Sequence, residues 1–397
     1  MRARIDATVP AALAPWVLTV LHHAHWGVDL FFVLSGFSLA QPLLVRLSRS
    51  SPADPDPLAW AAWGRSFFVR RAARLYPAYL AALALVVAAV PNLTRHPSFP
   101  ASALAHLTLL QGYFLPGGLA IIGAAWSLST EVSFYLAWPL LAPRLLAAPS
   151  PRGATPPPAS PEAPSHRAYT SNKESVHPPA RAPLRPWRFG LALVALVWLV
   201  RAALHELALH PTAPPWLLEA SQRRWAVSRL DQFVLGALAA AAHARLTRPP
   251  SPSPHSPSPL TRVAPLLVAL SALALPGAFF LEGTFHGRPL GAWPYALVSL
   301  ATTALVLSAA SCGEAASRWL FPRHLRFVGV VSYGVFLNHQ LALGATAHLT
   351  GPAGSWSALG AHATLGLALS LALGGLSWVS VERPVIEWAS RLTKSGR

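Results

Sequence analysis

The sequence predicts an all-α polytopic membrane protein, folded as one bundle of about nine to ten transmembrane helices. Of its 397 residues, 53% are hydrophobic and only 11% are charged, a balance that soluble globular domains do not have. Apolar runs of roughly 18 residues or more recur along the chain, and a run of this length crosses a ~30 Å hydrocarbon core as a helix. Composition and run length therefore agree on the fold class.

Nine full spans are predicted, and a shorter apolar stretch at 7–21 makes a tenth if it is a curtailed first span. The nine are 26–43, 75–90, 126–146, 189–208, 227–242, 263–281, 293–312, 328–349 and 359–381. The weaker stretch 102–119 contains His106, Gln111 and Pro116, so we expect it to be re-entrant or to lie on the membrane surface.

The basic residues predict the orientation. With 102–119 not counted as a span, most arginines and lysines fall in loops on one side, and Arg95, Arg223, Arg224 and Arg288 fall on the other. Because loops rich in Arg and Lys stay on the cytoplasmic side, we expect these loops and the C-terminus to be inside. The net charge of +17 is spread over loops rather than gathered on one face. Anionic membrane lipid is therefore the expected partner, and nucleic acid is not.

The chain is predicted to form a single domain, 1–397, interrupted by two disordered linkers. Residues 147–186 and 248–259 are rich in Pro and Ser and cannot bury enough apolar surface to fold. Cys312 is the only cysteine, so no intrachain disulfide can form.

Three histidines, His22, His23 and His25, stand just before Asp29 at the start of one apolar run. Imidazole changes charge near neutral pH, and ionisable groups at membrane depth usually serve a function. One interpretation is a general base that takes a proton from a hydroxyl group and is held in its tautomer by the carboxylate. Another is an interfacial loop whose histidines meet lipid headgroups. A metal site is a weaker third interpretation, because no second ligand cluster follows.

A basic cluster and one acidic residue are further candidates. Arg70 and Arg74 share a face of a predicted helix, with Arg71 one step round. Guanidinium groups bind phosphate bidentately, so the three suit a nucleotide-type ligand, although topology anchoring and lipid phosphates explain them equally well.

Glu131 lies early in an apolar span among hydroxyl side chains. It either orients a catalytic group, pairs with an arginine, or is a structural charge near a helix start.

Other polar residues also lie inside predicted spans. Arg229 and Asp231 must find partners there. For His339, a hydrogen bond to another helix is more common than a catalytic role. Glu382 and Arg383 end the last span, and we expect them to pair locally or to anchor it.

Taken together and in this order, five motifs resemble those of the acyltransferase 3 family of membrane acyltransferases. They are 27–37 (GVDLFFVLSGF), 70–77 (RRAARLYP), 126–136 (WSLSTEVSFYL), 332–339 (SYGVFLNH) and 382–384 (ERP). The resemblance implies about ten transmembrane helices in a membrane such as the bacterial cytoplasmic membrane. It also implies transfer of an acyl group, commonly acetyl from acetyl-CoA, to a hydroxyl of a sugar, polysaccharide, peptidoglycan, lipid or natural product. By the same resemblance, the arginines would receive the phosphorylated end of CoA, and a histidine near the outer half would act on the acceptor hydroxyl.

The chain departs from this family near its start. The family's first span usually carries a basic residue, followed eleven positions on by the essential histidine. At that spacing, alanines precede the three histidines here: Ala11, Ala12 and Ala14. Either one of the three is the base without its basic partner, or the usual histidine is missing and the protein is inactive.

We therefore expect O-acyl transfer from acyl-CoA to a glycan, lipid or natural product, without a metal ion. The alternatives are a non-enzymatic transporter or flippase of a lipid-linked or glycan substrate, and an inactive truncated member of the family. In the enzyme, the arginines and the histidines are expected to mark the two ends of one conduit through the bundle.

Overall fold

In the computed structural model the described residues are 27–49, 57–114, 120–146, 185–214, 216–217, 225–247, 259–285, 288–289, 291–351 and 355–394. Within these ranges the chain is helical and contains no strand, so the all-α prediction is confirmed there. The α-helices are α1 (Gly27–Arg49), α2 (Pro57–Ala89), α3 (Phe99–Leu107), α4 (Gln111–Phe114), α5 (Trp126–Leu146), α6 (Arg185–Ala208), α7 (Leu230–Leu246), α8 (Pro259–Phe285), α9 (Trp293–Ala310), α10 (Glu314–Leu320), α11 (Arg323–Thr350), α12 (Trp356–Ser377) and α13 (Arg383–Lys394). A π-helical turn, Trp378–Glu382, joins α12 to α13.

Seven helical segments of the described chain are long and apolar enough to cross a membrane. They are Gly27–Leu47, Trp60–Ala89, Trp187–Ala208, Thr261–Ala278, Trp293–Ala310, Arg323–Thr350 and Ser357–Thr393. The predicted count of nine to ten is therefore not confirmed. Two predicted spans, 126–146 and 227–242, are not among the seven. The first forms α5, in which serines, prolines and Glu131 lower the hydropathy, and the second forms α7, which has only 17 residues.

Helix α7 lies in the interior of the bundle. Every residue from 231 to 241 is buried, and many of them are alanine or glycine. Helix α1 lies against α7 where Gly36 meets Phe233 and Gly236 meets Val33; a methyl group on either glycine would overlap the opposite backbone carbonyl. Small residues permit this close approach of two membrane helices, so the sequence places the backbone of α1 directly against that of α7.

Three phenylalanines form an aromatic core that joins α1, α5 and α7. The ring of Phe233 lies 4.0 Å from that of Phe134 and 4.9 Å from that of Phe32, measured between centroids. All three side chains are buried. Aromatic pairs at such distances contribute ~0.5–1.5 kcal/mol beyond the burial of their area. The aromatic core therefore fixes the positions of the three helices that carry the candidate acidic residues and their partners.

The described part of the stretch 102–119, residues 102–114, forms no helix long enough to span a membrane, in agreement with the prediction. Its described part contains α3 and α4, which are both far too short to cross a bilayer. His106 is buried in α3, where its Nδ1–H donates to the carbonyl of Ser102 (2.8 Å) and its Nε2 accepts from the N–H of Ile122 (3.2 Å). Burial lowers the pKa of His106. The neutral imidazole thus links α3 to the chain that enters α5.

The predicted linkers lie outside the described residues except at their ends. Helix α6 begins at Arg185 and α8 begins at Pro259, so the boundaries 147–186 and 248–259 each include residues that are helical. Proline is tolerated in the first turn of a helix, and this explains why the proline-rich composition placed the boundaries too far into the helices. The short apolar stretch 7–21 also lies outside the described residues.

Candidate active site

A cavity of about 370 Å³ lies where α1, α2 and α13 meet. All three predicted arginines, Arg70, Arg71 and Arg74, line it. Residues four apart share a helix face, so α2 presents these guanidinium groups together. The other lining residues are Leu39, Pro42, Leu43, Trp63, Phe67, Ile386, Ala389 and Ser390, and all of them except Ser390 are apolar. The cavity thus combines three positive charges with an apolar wall.

Neighbouring side chains orient two of these arginines. The guanidinium carbon of Arg71 lies 5.4 Å from the ring centroid of Tyr135 and 5.8 Å from that of Phe67, so it makes cation–π contacts with both. Arg70 donates through Nη1 to the hydroxyl of Ser66, one turn earlier in α2. The cationic groups are therefore held at the cavity before any ligand arrives.

Glu131 lies behind the arginines and is buried. Its Oε1 accepts hydrogen bonds from the hydroxyl groups of Tyr135 and of Ser35, the latter at 3.3 Å. Its Oε2 has no hydrogen-bond partner among the described residues. Arg71 and Arg74 both interact electrostatically with the carboxylate. The geometry shows hydrogen bonds from hydroxyl groups and no ion pair with an arginine among the described residues, so the role of Glu131 stays a prediction.

Asp29 lies in the first turn of α1 and is 3% exposed. Its Oδ1 accepts from Arg229, which precedes α7, and from the amide of Gln232 at 2.6 Å. The carboxylate is therefore one half of a buried ion pair. This contact positions the start of α1 against the start of α7, and it provides the partner that Arg229 was predicted to need.

The cavity does not extend to Asp29. Its α1 wall begins at Leu39, ten residues further on, or roughly 15 Å along a helix. The aromatic core packs between these two positions on α1. The cavity therefore ends short of Asp29, and the conduit predicted between the arginines and the histidines is not tested by the described residues. The histidines at its other predicted end, His22, His23 and His25, lie outside the described residues, and their role stays a prediction.

Comparison with known families decides what kind of protein carries this site. Residues 6–379 match the sequence model of the acyltransferase domain called Acyl_transf_3. The chain belongs to the acyltransferase 3 family. No curated protein and no solved structure matches it. Together with the seven apolar helices, the match describes a multi-pass membrane protein of an acyltransferase family.

This acyltransferase 3 member contains a second buried ion pair that sequence reasoning found only in part. Asp231 was predicted to need a partner, and Arg201 supplies it at 2.6 Å. Asp231 also accepts from Trp198 Nε1 (2.8 Å) and from the hydroxyl of Ser299 (2.7 Å). Arg201 was not anticipated, although an arginine in the middle of the apolar run 189–208 is a signal for a buried partner.

Tyr295 joins the two ion pairs. Its ring centroid lies 5.6 Å from the guanidinium carbon of Arg201 and 5.4 Å from that of Arg229. Helices α1, α6, α7 and α9 therefore meet at one network of paired charges near the N-terminal end of α7.

The motif at 332–339 has a structural role in the described chain. His339 Nδ1–H donates to the carbonyl of Phe336 at 2.7 Å, within α11, and the predicted hydrogen bond to another helix is not found among the described residues. The contact between helices comes instead from Tyr333, whose hydroxyl donates to the carbonyl of Leu75 at 2.9 Å.

Three parts of the site were missed by sequence reasoning. Ser35 was not a predicted site residue, yet its hydroxyl donates a hydrogen bond to Glu131. Trp63 and the residues of α13 line the cavity, and neither belongs to a predicted site. The available signals were the aromatic residues one and two turns before Arg70, and the amphipathic pattern of 383–394.

Proposed function

We propose that this protein transfers an acyl group, in particular acetyl, from acyl-CoA to a hydroxyl group of a glycan, lipid or natural product at the membrane. The observation that carries the proposal is the arginine-lined cavity in a chain of the acyltransferase 3 family. The arginines alone would fit lipid phosphates equally well; in an acyltransferase, they suit the phosphorylated end of the acyl donor.

The cavity supports donor binding through its charge and its size. Arg70, Arg71 and Arg74 offer planar groups that bind phosphate oxygens bidentately. A volume of about 370 Å³ is near the lower end of ligand pockets, which hold ~300–1,000 Å³. It suits one end of CoA and leaves the thioester arm to run further into the bundle. Because the aromatic core closes the direct way along α1, we propose that this arm moves Phe32 or Phe233 as it enters.

The chemistry we propose is direct attack by the acceptor. The hydroxyl oxygen attacks the thioester carbonyl while His22, His23 or His25 takes the hydroxyl proton. The carbon–sulfur bond then breaks, the ester forms, and the proton passes to the CoA thiolate. Alignment of the two bound substrates supplies much of the rate. A covalent acyl-enzyme is not part of the proposal, because Cys312 donates its S–H to the carbonyl of Ser308 and is not hydrogen-bonded to a basic side chain among the described residues.

The orientation of the chain follows from its basic loops. We propose a cell-membrane location, such as the bacterial cytoplasmic membrane, with the arginine cavity and the C-terminus facing the cytoplasm, where acyl-CoA is made. The histidines would then lie toward the outer face, beside an acceptor of the cell envelope.

Release of free CoA tests the proposal. Purified protein is incubated with acetyl-CoA labelled in the acetyl group, together with extracted membrane lipid and polysaccharide. Acyl transfer predicts equal amounts of free CoA and of ester-bound label, and loss of both when one of His22, His23 or His25 is changed to Ala. Movement of a lipid-linked substrate without CoA release would identify a transporter or flippase. Full activity of the triple alanine variant would remove the histidines from the mechanism.

A further inference from the structure

Two stacked tryptophans lie at the end of the bundle where α5 and α7 begin. The rings of Trp216 and Trp225 are parallel to within 8°, and their centroids are 5.7 Å apart. Trp225 stands directly before the short turn Ala226–Ser228 that leads into α7. Tyr113 of α4 meets the Trp225 ring edge-on, at a centroid distance of 6.2 Å. We call Trp216 and Trp225 the aromatic platform.

The aromatic platform has one open face. Trp225 covers one side of the Trp216 indole, and no other aromatic ring among the described residues contacts Trp216. The Trp216 side chain is nevertheless 54% exposed. This exposed area must include the side of the ring that faces away from Trp225. A flat partner can therefore stack on Trp216 without displacing a neighbouring ring.

The surroundings of the aromatic platform hold it in place. The hydroxyl of Tyr113 hydrogen-bonds to that of Ser133 in α5 at 2.7 Å, which fixes the ring behind Trp225. In the loop that follows α6 and carries Trp216, the N–H of Ala213 donates to the carbonyl of His210 at 2.9 Å and closes a turn. A surface that is ordered before its ligand arrives loses little conformational entropy on binding.

The chemistry of the aromatic platform suits a sugar ring. One face of a pyranose consists of C–H groups whose hydrogens carry a partial positive charge, and the face of an aromatic ring is negative. His210, an exposed residue of the same loop as Trp216, adds a polar group. Its Nδ1 accepts from the N–H of Thr212 at 3.4 Å, so the neutral ring carries its proton on Nε2. That N–H can donate to a ring hydroxyl.

The aromatic platform lies on the side of the predicted base and away from the arginine cavity. Trp225 precedes Arg229 by four residues, and Arg229 pairs with Asp29 at the start of α1. The predicted histidines stand just before Asp29 in the sequence. The arginine cavity, by contrast, begins on α1 at Leu39. An acceptor on the aromatic platform would therefore approach the base from the end opposite to the donor.

The position of Trp216 in its loop favours a ligand in water over lipid. Tryptophans that anchor a helix to lipid headgroups lie at the ends of the spans. Trp216 follows the end of the apolar segment Trp187–Ala208 by eight residues. It also stacks on Trp225 instead of standing alone at a helix end.

We infer that the aromatic platform binds a sugar ring of the acceptor. Trp216 stacks on the C–H face of the pyranose, Trp225 supports it from behind, and His210 donates to a ring hydroxyl. This inference rests on the proposed function and narrows it, because it selects a saccharide among the glycan, lipid and natural-product acceptors.

Acceptor kinetics test the stacking contact. The protein is placed in phosphatidylcholine nanodiscs, free of glycoside detergent, with labelled acetyl-CoA and oligosaccharides cut from extracted envelope polysaccharide. Trp216→Ala should raise the KM for the oligosaccharides about fivefold or more and leave the KM for acetyl-CoA unchanged. Trp216→Phe keeps an aromatic face and should restore most of the affinity, whereas Trp216→Leu, which is only apolar, should not. Trp319→Ala, at an 82% exposed position in α10, is the matched control and should change neither KM.

Three kinetic results would overturn the inference. Label found only in lipid would remove the saccharide and leave acyl transfer intact. An unchanged KM for the oligosaccharides in Trp216→Ala would remove the aromatic platform from acceptor binding. Equal KM values for Trp216→Leu and Trp216→Phe would show that Trp216 makes only an apolar contact, as in lipid anchoring.

Fluorine NMR tests sugar binding without any acyl transfer. The protein has 15 tryptophans, and in fluorotryptophan-labelled protein the resonance that is lost in Trp216→Phe belongs to Trp216. The oligosaccharides should shift this resonance and leave that of Trp319 in place, and sorbitol, a polyol without a ring, should shift neither. No shift of the Trp216 resonance would overturn the inference. A shift in a protein that transfers no label would keep the sugar site and overturn the proposed function alone.

Discussion

Asp29 in α1 and Arg229 at the start of α7 form a buried ion pair although 200 residues of sequence separate them. Along both chains, the pair precedes the point where Gly36 and Gly236 bring the two helices into backbone contact. The close packing of α1 on α7 thus brings Asp29 near enough to Arg229 to form the ion pair, and the ion pair in turn fixes the register of the two helices. The 27–37 motif, one of the five that resemble the acyltransferase 3 family, therefore also positions α1 in the fold.

Breaking the Asp29–Arg229 pair should destabilise the protein strongly. Removal of one partner leaves an uncompensated buried charge, which costs ~3–5 kcal/mol. We expect Asp29→Ala or Arg229→Ala to lower the unfolding temperature in detergent by a large amount. The double variant should lose much less than the sum of the two. The exposed Arg383–Glu387 pair is the matched control, and Glu387→Ala should have little measurable effect. Additive losses in the double variant would show that the two groups do not interact.

Glycines at the crossing of α1 and α7 should not tolerate a methyl group. Gly36→Ala or Gly236→Ala must push the two backbones apart, so we expect a clear fall in the unfolding temperature. Gly344 in α11 has no atom within 4 Å of the position of an added methyl group. Gly344→Ala should therefore be neutral or slightly stabilising. An unchanged unfolding temperature for Gly36→Ala would contradict the close approach.

The arginines of the cavity should control donor affinity. Arg71→Ala or Arg74→Ala removes charge-assisted hydrogen bonds worth ~1.5–3 kcal/mol each, and we expect CoA binding to weaken by at least about tenfold. Arg65 lies on the same helix but does not line the cavity, so Arg65→Ala is the control. Calorimetry at two salt concentrations makes the measurement, because the charge contribution should shrink at the higher one. Equal affinity in Arg65→Ala and Arg74→Ala would place the donor elsewhere.

Substitution of Glu131 should affect the turnover rate without weakening the binding of the acyl donor. Glu131→Gln keeps the side-chain shape but removes the negative charge next to Arg71 and Arg74. We expect CoA to bind at least as tightly, because the arginines gain in net positive potential, while turnover falls because Gln cannot orient a catalytic group as the carboxylate is predicted to do. Steady-state kinetics would show a fall in kcat without a rise in KM. Loss of CoA binding in this variant would instead assign Glu131 to the binding contact.

Stability should fall below neutral pH because of His106. Burial lowers the pKa of this imidazole in the folded protein, whereas the unfolded chain has the ordinary value of 6.5. The unfolded state therefore binds the proton more readily, so the stabilisation is complete above pH 6.5 and is lost as the pH falls below it. His106→Gln should flatten the dependence of unfolding temperature on pH between about 7.5 and 5.5. His96→Gln, at an exposed position, should leave the slope unchanged.

Much of this structure follows from sequence patterns that act locally. Apolar runs predict the helices because length and hydropathy are properties of one segment, and i, i+4 spacing predicts that Arg70 and Arg74 act together. The span count fails where a segment depends on its neighbours: α7 is short and yet interior, since other helices cover it on all sides. The pairing of Arg201 with Asp231, and the wall that α13 adds to the cavity, depend on how distant helices pack. Arg201 and the amphipathic pattern of 383–394 are visible in the sequence, but no single stretch of sequence identifies the helix against which either one packs.

The measurement that tests the central claim most directly is transfer of label from acetyl-CoA by the purified protein and by its Arg70→Ala/Arg71→Ala/Arg74→Ala variant. An acyl donor bound at the cavity predicts ester-bound label in the extracted lipid or polysaccharide with the unaltered protein. It also predicts a loss of at least about tenfold with the folded variant at low acetyl-CoA. Undiminished transfer by the variant, or no transfer by an unaltered protein that is folded and supplied with membrane extract, would contradict it.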